Sequence, residues 1–345
     1  AEDVATYSDI TNNPLYNALV IPTYQSLYNP DGSYYPFGNG LDAVVTSKNP
    51  LALANEIKAR QKGIGFLGNT FMEYAILPNL KVNVMLGINL MSIKGSYFKP
   101  QMAAFLNELA SGTDNASQRL NWITETTVNY TKSVGKHNFT GLLGYTTQKE
   151  TFESNTLTSN RCPNNLVPTL SAVSGILTGG SSNVAEWSLL SYLGRINYNY
   201  NSKYYATASL RTDGSSRFGA ENKYGVFPSV ALAWRISDEA FMKDIRAINE
   251  LKLRTSYGKT GNNNIGNYDH LATINYEKYV LGGTGVGGFS PGRLANPNLT
   301  WETQQQINVG VDVSFLNNRL ALTLDHFRSK NTDLLLNVNI PDITG

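Results

Sequence analysis

Apolar and polar residues alternate with period two along most of this chain. From Lys81 to Leu90, Val82, Val84, Leu86, Ile88 and Leu90 fall on one face, and Lys81, Asn83, Met85, Gly87 and Asn89 on the other. The pattern returns in Leu251, Leu253, Thr255 and Tyr257, and again in Ile307, Val309, Val311, Val313 and Phe315. Less regular cases included, it predicts about ten strands, at 64–77, 80–91, 119–133, 137–150, 186–199, 203–213, 226–236, 250–260, 303–315 and 319–330. Each runs for about 11 to 15 residues, whereas strands of ordinary soluble sheets cluster near 5 or 6.

Strands of that length suit a bilayer, which a tilted strand crosses in roughly 9 to 11 residues, with short turns at one end and long loops at the other. The connections follow this rule. Pro78-Asn79, 134–136, 201–202 and 316–318 are short, 237–249 is compact, and 92–118, 151–185, 214–225 and 261–302 are longer. Within 237–249, Ser237 is placed to cap a helical turn. Segment 268–280 looks strand-like, but a crossing there would break the alternation, so it is assigned to the long excursion. Membrane barrels carry aromatic girdles at both interfaces. Tyr74, Tyr130, Phe139, Tyr198, Tyr200, Tyr204, Trp234 and Phe315 stand beside the short turns, and Phe66, Trp122, Tyr145 and Tyr257 nearer the loops. The expected fold is therefore all-β, a transmembrane antiparallel β-barrel. A soluble sandwich with core aromatics is the competing reading, although a sandwich requires neither long strands nor one-sided loops.

Composition agrees with the membrane reading. The 345 residues include only 16% charged side chains, below the roughly 25% of soluble domains. A net charge of +2 from 28 basic and 26 acidic residues offers no nucleic-acid footprint. One cysteine, Cys162, and scattered His137, His270 and His326 provide no metal-ligand spacing, and no cofactor motif stands out. No apolar run is long enough for a membrane helix. The chain opens on Ala1-Glu2-Asp3 with no leader-like segment, so any export signal is expected to have been removed or to lie outside this piece. Both ends fall on the long-loop side, which fits the middle of a larger barrel, with 1–63 and 337–345 as extracellular loop regions flanking barrel strands at 64–336. A barrel-embedded hydrolase or a surface adhesin would share some of these features, but no nucleophile elbow is present.

Several motifs carry a family resemblance. Leu193-Gly194-Arg195-Ile196-Asn197-Tyr198, Leu210-Arg211-Thr212-Asp213-Gly214-Ser215-Ser216-Arg217-Phe218-Gly219, Lys223-Tyr224-Gly225-Val226-Phe227-Pro228-Ser229, Leu253-Arg254-Thr255-Ser256-Tyr257-Gly258-Lys259-Thr260-Gly261-Asn262, and Asn296-Pro297-Asn298-Leu299-Thr300-Trp301-Glu302 resemble the SusC/RagA family of TonB-dependent outer-membrane transporters. Asn49-Pro50-Leu51-Ala52 and Asn317-Asn318-Arg319-Leu320 fit the same family. The resemblance implies a barrel of the large 22-stranded class with a plugged lumen, in the outer membrane of a Gram-negative bacterium. It further implies import of oligosaccharides or peptides, coupling to the TonB complex through a plug region outside this sequence, and a SusD-like surface lipoprotein as lid.

Exposed aromatics with polar neighbours stack on sugar rings and anchor protein interfaces. On that ground Tyr34, Tyr35, Phe37, Tyr268, Phe289 and Trp301, with Arg217 as a partner for carboxylates or hydroxyls, are the candidate contacts for cargo or lid. Arg211 and Arg217 are equally placed to pair with Asp213 or Glu221. Asp213-Gly214-Ser215-Ser216 reads as a hairpin turn with Gly214 at positive φ. The run Gly282-Gly283-Thr284-Gly285-Val286-Gly287-Gly288 lacks the lysine and following helix of a phosphate loop.

Overall fold

A computed structural model describes residues 12–36, 48–105, 108–160, 162, 165–170, 177–243, 245 and 247–336. Phe37 and 337–345 lie outside the described residues.

The main sheet contains β1 (Lys58–Leu77), β2 (Leu80–Lys99), β3 (Ser111–Val134), β4 (His137–Ser159), β5 (Leu177–Tyr200), β6 (Tyr204–Ser215), β7 (Tyr224–Arg235), β8 (Ile248–Asn262), β11 (Glu302–Phe315) and β12 (Leu320–Thr332). These ten strands lie side by side in chain order, while β9 (Thr273–Leu281) and β10 (Thr284–Arg293) form a separate hairpin within the excursion between β8 and β11. Segment 268–280 therefore belongs to the excursion, as its parity required. The first five strands are longer than the alternation predicts, at 20 to 24 residues. β2 runs on to Lys99, β3 begins at Ser111, β4 runs on to Ser159 and β5 begins at Leu177, so the strands take in part of the expected loops 92–118 and 151–185.

Register places the two faces as the alternation requires. Val309 on β11 lies opposite Thr255 of β8 and His326 of β12, and Val311 opposite Leu253 and Leu324. One step away, Asn308 lies opposite Ser256 and Phe327, and Asp312 opposite Lys252 and Thr323. The short turns use left-handed backbone: Gly135, Asn201 and Ser202, then Leu316, Asn317 and Asn318, all have positive φ.

The compact connection after β7 differs from expectation. It forms 3₁₀ turns at Ile236–Asp238 and Ala240–Met242; among the described residues neither has a side-chain cap and the buried Ser237 Oγ has no hydrogen-bond partner. Glu239 organises this turn instead, accepting from Tyr204 Oη (2.6 Å), Lys203 Nζ (3.1 Å) and Trp234 Nε1 (3.2 Å).

Two compact units divide the chain, one comprising 1–67, 89–120 and 151–185, the other 68–88, 121–150 and 186–345. In the first, α1 (Pro14–Val20) and α2 (Pro50–Glu56) each begin with proline after an asparagine cap. Asn49 Oδ1 accepts from Leu51 N and Ala52 N while its Nδ2 donates to Leu27 O and Tyr35 O, so one buried side chain ties the helix to the preceding segment. Ala52, Leu53, Ile57, Ala104 and Phe105 form this unit's core. Lys48 and Lys99 both donate to Glu108 Oε2; burial pushes that carboxyl's pKa up, but the two ammonium groups outweigh it and hold it below its ordinary value. The core of the second unit is Phe218, Phe227 and Trp301.

Candidate functional site

The motifs that carry the family resemblance converge on this second core. Trp301 packs against Phe218 and Phe227, each 5.4 Å away between ring centroids, and its Nε1 donates to Lys223 O at 2.9 Å. Glycine at 225 and 261 makes the space: a β-carbon at Gly225 would lie 3.0 Å from Trp301 Cγ, and one at Gly261 would overlap the Phe227 ring. Asn222 Nδ2 bonds to Pro297 O at 3.1 Å, tying the β6–β7 connection to the Asn296-Pro297-Asn298 turn. Four of the motifs, drawn from 210–219, 223–229, 253–262 and 296–302, are thus one packed cluster at the loop end of β7, β8 and β11. Trp301 is 5% exposed, so it supplies packing there and not a contact surface.

The expected hairpin turn at Asp213-Gly214-Ser215 is instead the end of β6, with Asp213 opposite Gly225 and Gly214 opposite Tyr224. Gly214 does not have positive φ; its lack of a side chain admits the Tyr224 ring, whose Cδ1 would lie 2.9 Å from a β-carbon. Asp213 accepts from Arg211 Nε at 2.8 and 2.9 Å, and Arg211 Nη2 reaches Ser191 Oγ at 3.1 Å, so Arg211 is part of the scaffold.

Arg217 is held differently. Its guanidinium lies over the Trp187 ring, 4.9 Å from the centroid, while Nε donates to Asn267 Oδ1 and Nη1 to Asn263 O, both at 3.1 Å. It pairs with neither Asp213 nor Glu221, and no other guanidinium bond is formed among the described residues, leaving Nη2 available to a ligand. Partial burial lowers its pKa from the ordinary value, against the smaller opposing pull of Glu150 and Asp269. The Arg217 carbonyl sits 3.0 Å from His270 Nδ1, and Tyr268 Oη accepts from Glu186 N at 3.0 Å. Arg293 clamps this loop, donating to Asp269 Oδ1 and Tyr268 O at 2.6 Å. Nearby on β3 and β4, Asn121 Nδ2 donates to Glu150 Oε2 (3.1 Å) and Gln148 Nε2 to Asn121 Oδ1 (3.2 Å). Trp187, Arg217, Asn267 and His270 thus meet on the loop side, and the Glu150 and Asp269 carboxylates act on the Arg217 charge. That chemistry suits hydroxyl-rich or carboxylate-bearing ligands.

The other candidates lie elsewhere. Tyr34 stacks on Tyr28 at 5.6 Å and its hydroxyl accepts from Asn55 Nδ2, in the first unit, with half-exposed Tyr35 beside it. Phe289 sits on β10 opposite Tyr276, the rings 5.9 Å apart edge to face, and is 69% exposed. The glycine run reads as hairpin chemistry: Gly282 and Gly283 occupy the two positive-φ turn positions between paired Leu281 and Thr284, and Gly287 and Gly288 leave room for the rings of Tyr276 and Tyr279. Trp187, Asn121 and Glu150 were missed by sequence reasoning. The available signal was an aromatic on the polar-face parity of β5.

Beside the short turns, aromatics of β4, β5, β6 and β7 touch one another. Tyr204 stacks between Tyr200 (6.2 Å) and Trp234 (6.3 Å), Tyr198 packs on Phe139 (4.9 Å), and His137 Nδ1 contacts Tyr198 Oη at 2.8 Å. Tyr74 and Tyr130 are exposed on β1 and β3, and Phe315 ends β11 opposite Leu320.

Long strands with one apolar face, tight turns at one end and a polar rim at the other define a segment of an outer-membrane β-barrel. Residues 6–345 match the family described as TonB dependent receptor-like, beta-barrel, and the chain belongs to that family. TonB-dependent receptor P3 of Formosa agariphila is 35% identical over 323 residues, covering 92% of this chain and 32% of the relative. TonB-dependent receptor SusC of Bacteroides thetaiotaomicron is 31% identical over 327 residues, covering 91% and 31%. The solved RagAB peptide transporter superposes with a TM-score of 0.82 at 26% identity over 94% of this chain and 36% of that one. The chain is SusC/RagA-like, spans about a third of the length of these relatives, and resides in the outer membrane of a Gram-negative bacterium.

Proposed function

We propose that this chain forms part of the barrel of a TonB-dependent nutrient importer, with oligosaccharides as its principal cargo. The observation that carries the cargo reading is the Trp187–Arg217 pair: a ring for stacking on a sugar face, with Asn267 bonded to the same guanidinium and the Glu150 carboxylate acting on its charge, groups that suit sugar hydroxyls. In this reading a SusD-like lipoprotein acts as the lid, with half-buried Tyr34, exposed Tyr35 and the β9–β10 hairpin bearing Phe289 as its candidate contacts, while TonB acts through a plug region of the whole protein. Tyr74, Tyr130, Tyr198, Tyr200, Tyr204, Trp234 and Phe315 serve as the membrane-interface girdle on the short-turn side.

A peptide is the second reading, supported by the likeness to the RagAB peptide transporter and by the Nη2 edge of Arg217, which suits a carboxylate. Binding of an oligosaccharide panel and a peptide panel to the full-length transporter with its lipoprotein separates the two. Trp187→Ala and Arg217→Ala should each weaken binding of the preferred class without loss of folded protein. Unchanged affinity for both classes in both variants refutes this pair as the cargo site.

A further inference from the structure

We propose that the apolar face of the sheet carries a built groove for a phospholipid of the periplasmic leaflet, with an acyl chain lying over Gly141, Gly194 and Ala208 and the phosphate meeting Lys132. The groove has a volume of about 820 Å³ and is walled by Tyr130, Leu143, Ile196, Leu210, Val230 and Tyr257. Its floor lies on the face expected to meet hydrocarbon: Ile196 is opposite Ala208 and Ala208 opposite Val230, while Gly194 is opposite Leu210.

Neither floor glycine has an internal reason to be glycine. Neither has positive φ, a β-carbon at Gly141 would meet nothing within 4 Å, and one at Gly194 would meet only Leu143 Cδ2 at 3.8 Å. Glycine inside a strand weakens it and marks places where something else approaches closely. No protein group among the described residues fills the space, and the outer-membrane setting supplies acyl chains against this face. A flexible chain follows a hollow of this shape, whereas a strand face of a second copy rests on its rims.

The charge fits the same occupant. Lys132 is on β3, two residues beyond Tyr130 and on the same face, toward the Gly135 turn. It has no hydrogen-bond or ion-pair partner among the described residues. Short turns in outer-membrane barrels are periplasmic, so this ammonium stands at headgroup level of that leaflet, where a basic side chain attracts anionic lipid groups.

The test is native mass spectrometry of the full-length membrane protein, extracted in mild detergent and washed, which should show one retained phospholipid. Gly194→Leu combined with Ala208→Leu fills the floor and should lower retention roughly tenfold. Val311→Leu, on the same face but outside the groove, should leave retention unchanged, and heat-modifiable gel migration checks that each variant is folded. Lys132→Glu leaves the walls intact and should lower phospholipid retention several-fold even where the double variant fails to assemble. The proposal is overturned by unchanged retention in Lys132→Glu, by retention of lipopolysaccharide alone, or by a disulfide between two copies carrying Gly194→Cys.

Discussion

Arg254 of β8 and Asp312 of β11 form a two-pronged ion pair, Nε to Oδ2 at 2.8 Å and Nη2 to Oδ1 at 3.1 Å, and the same Nη2 reaches Asp325 of β12 at 3.0 Å. One guanidinium therefore bridges three strands on the polar face. Gly310 leaves the room: a β-carbon there would stand 2.9 Å from Nη2. Because Arg254 and Asp312 remain partly open to water, the pair should be worth only about 1 kcal/mol. A double-mutant cycle with Arg254→Ala and Asp312→Ala, followed by urea unfolding in lipid, measures it. Gly310→Val should reproduce most of the Arg254→Ala effect by displacing the bridge, and a neutral Gly310→Val would show that the bridge does not depend on this space.

The two faces of β11 should respond oppositely to charge. Val309→Arg, or Leu253→Arg on β8, places a guanidinium against hydrocarbon and should cost roughly 2–4 kcal/mol near the midplane. Asn308→Arg, one residue away on the polar face, should be tolerated. Refolding yield and stability in lipid vesicles compare them, and equal losses on both faces would contradict the assignment of lipid and lumen sides.

The same division explains what could be read from the sequence. Strands 303–315 and 250–260 were placed within one or two residues because each has one face that is apolar for physical reasons, and period two survives wherever lipid lies on one side. The loop-side extensions of β3, β4 and β5 were invisible. In Ser111-Gly112-Thr113-Asp114-Asn115-Ala116-Ser117-Gln118 both faces are mostly polar, as a strand surrounded by water on both sides permits, so the alternation vanishes while the backbone pairing continues. The site was legible in part. Arg217 and Tyr268 stood out as chemistry in a loop, but Trp187 lay inside a predicted strand, and its partnership with Arg217 depends on the β5–β6 register. Trp301 stood out for the wrong reason, since a motif residue in a long loop looks exposed until Phe218 and Phe227 are seen to cover it.

That burial makes Trp301 a stability residue. Trp301→Ala should cost about 3–5 kcal/mol locally, and Gly261→Ala about 1–3 kcal/mol, because its methyl would overlap the Phe227 ring. Both should open the 263–301 excursion to protease in the folded protein while leaving the membrane strands protected. Wild-type protease resistance combined with lost cargo affinity in Trp301→Ala would instead make the indole a ligand contact.

Glu239 accepts from the Tyr204 hydroxyl, the Lys203 ammonium and the Trp234 indole N–H, and these bonds, the tyrosine's first, lower its pKa from the ordinary 4.5 to about 2. A carboxylate whose folded pKa lies below its unfolded value stabilises the fold fully above the unfolded value, and the contribution fades as pH falls toward the folded one. The window is therefore between about 4.5 and about 2. Over it, the wild type should lose stability with falling pH more steeply than Glu239→Gln, which carries no titrating proton. The two should run parallel above pH 5, offset by the charge-assisted bonds that the amide cannot replace. Trp234 fluorescence during unfolding at stepped pH reads the difference, since the indole is itself a partner of Glu239. Parallel curves through the whole window would mean that the hydroxyl, ammonium and indole do not hold this carboxylate in its charged form.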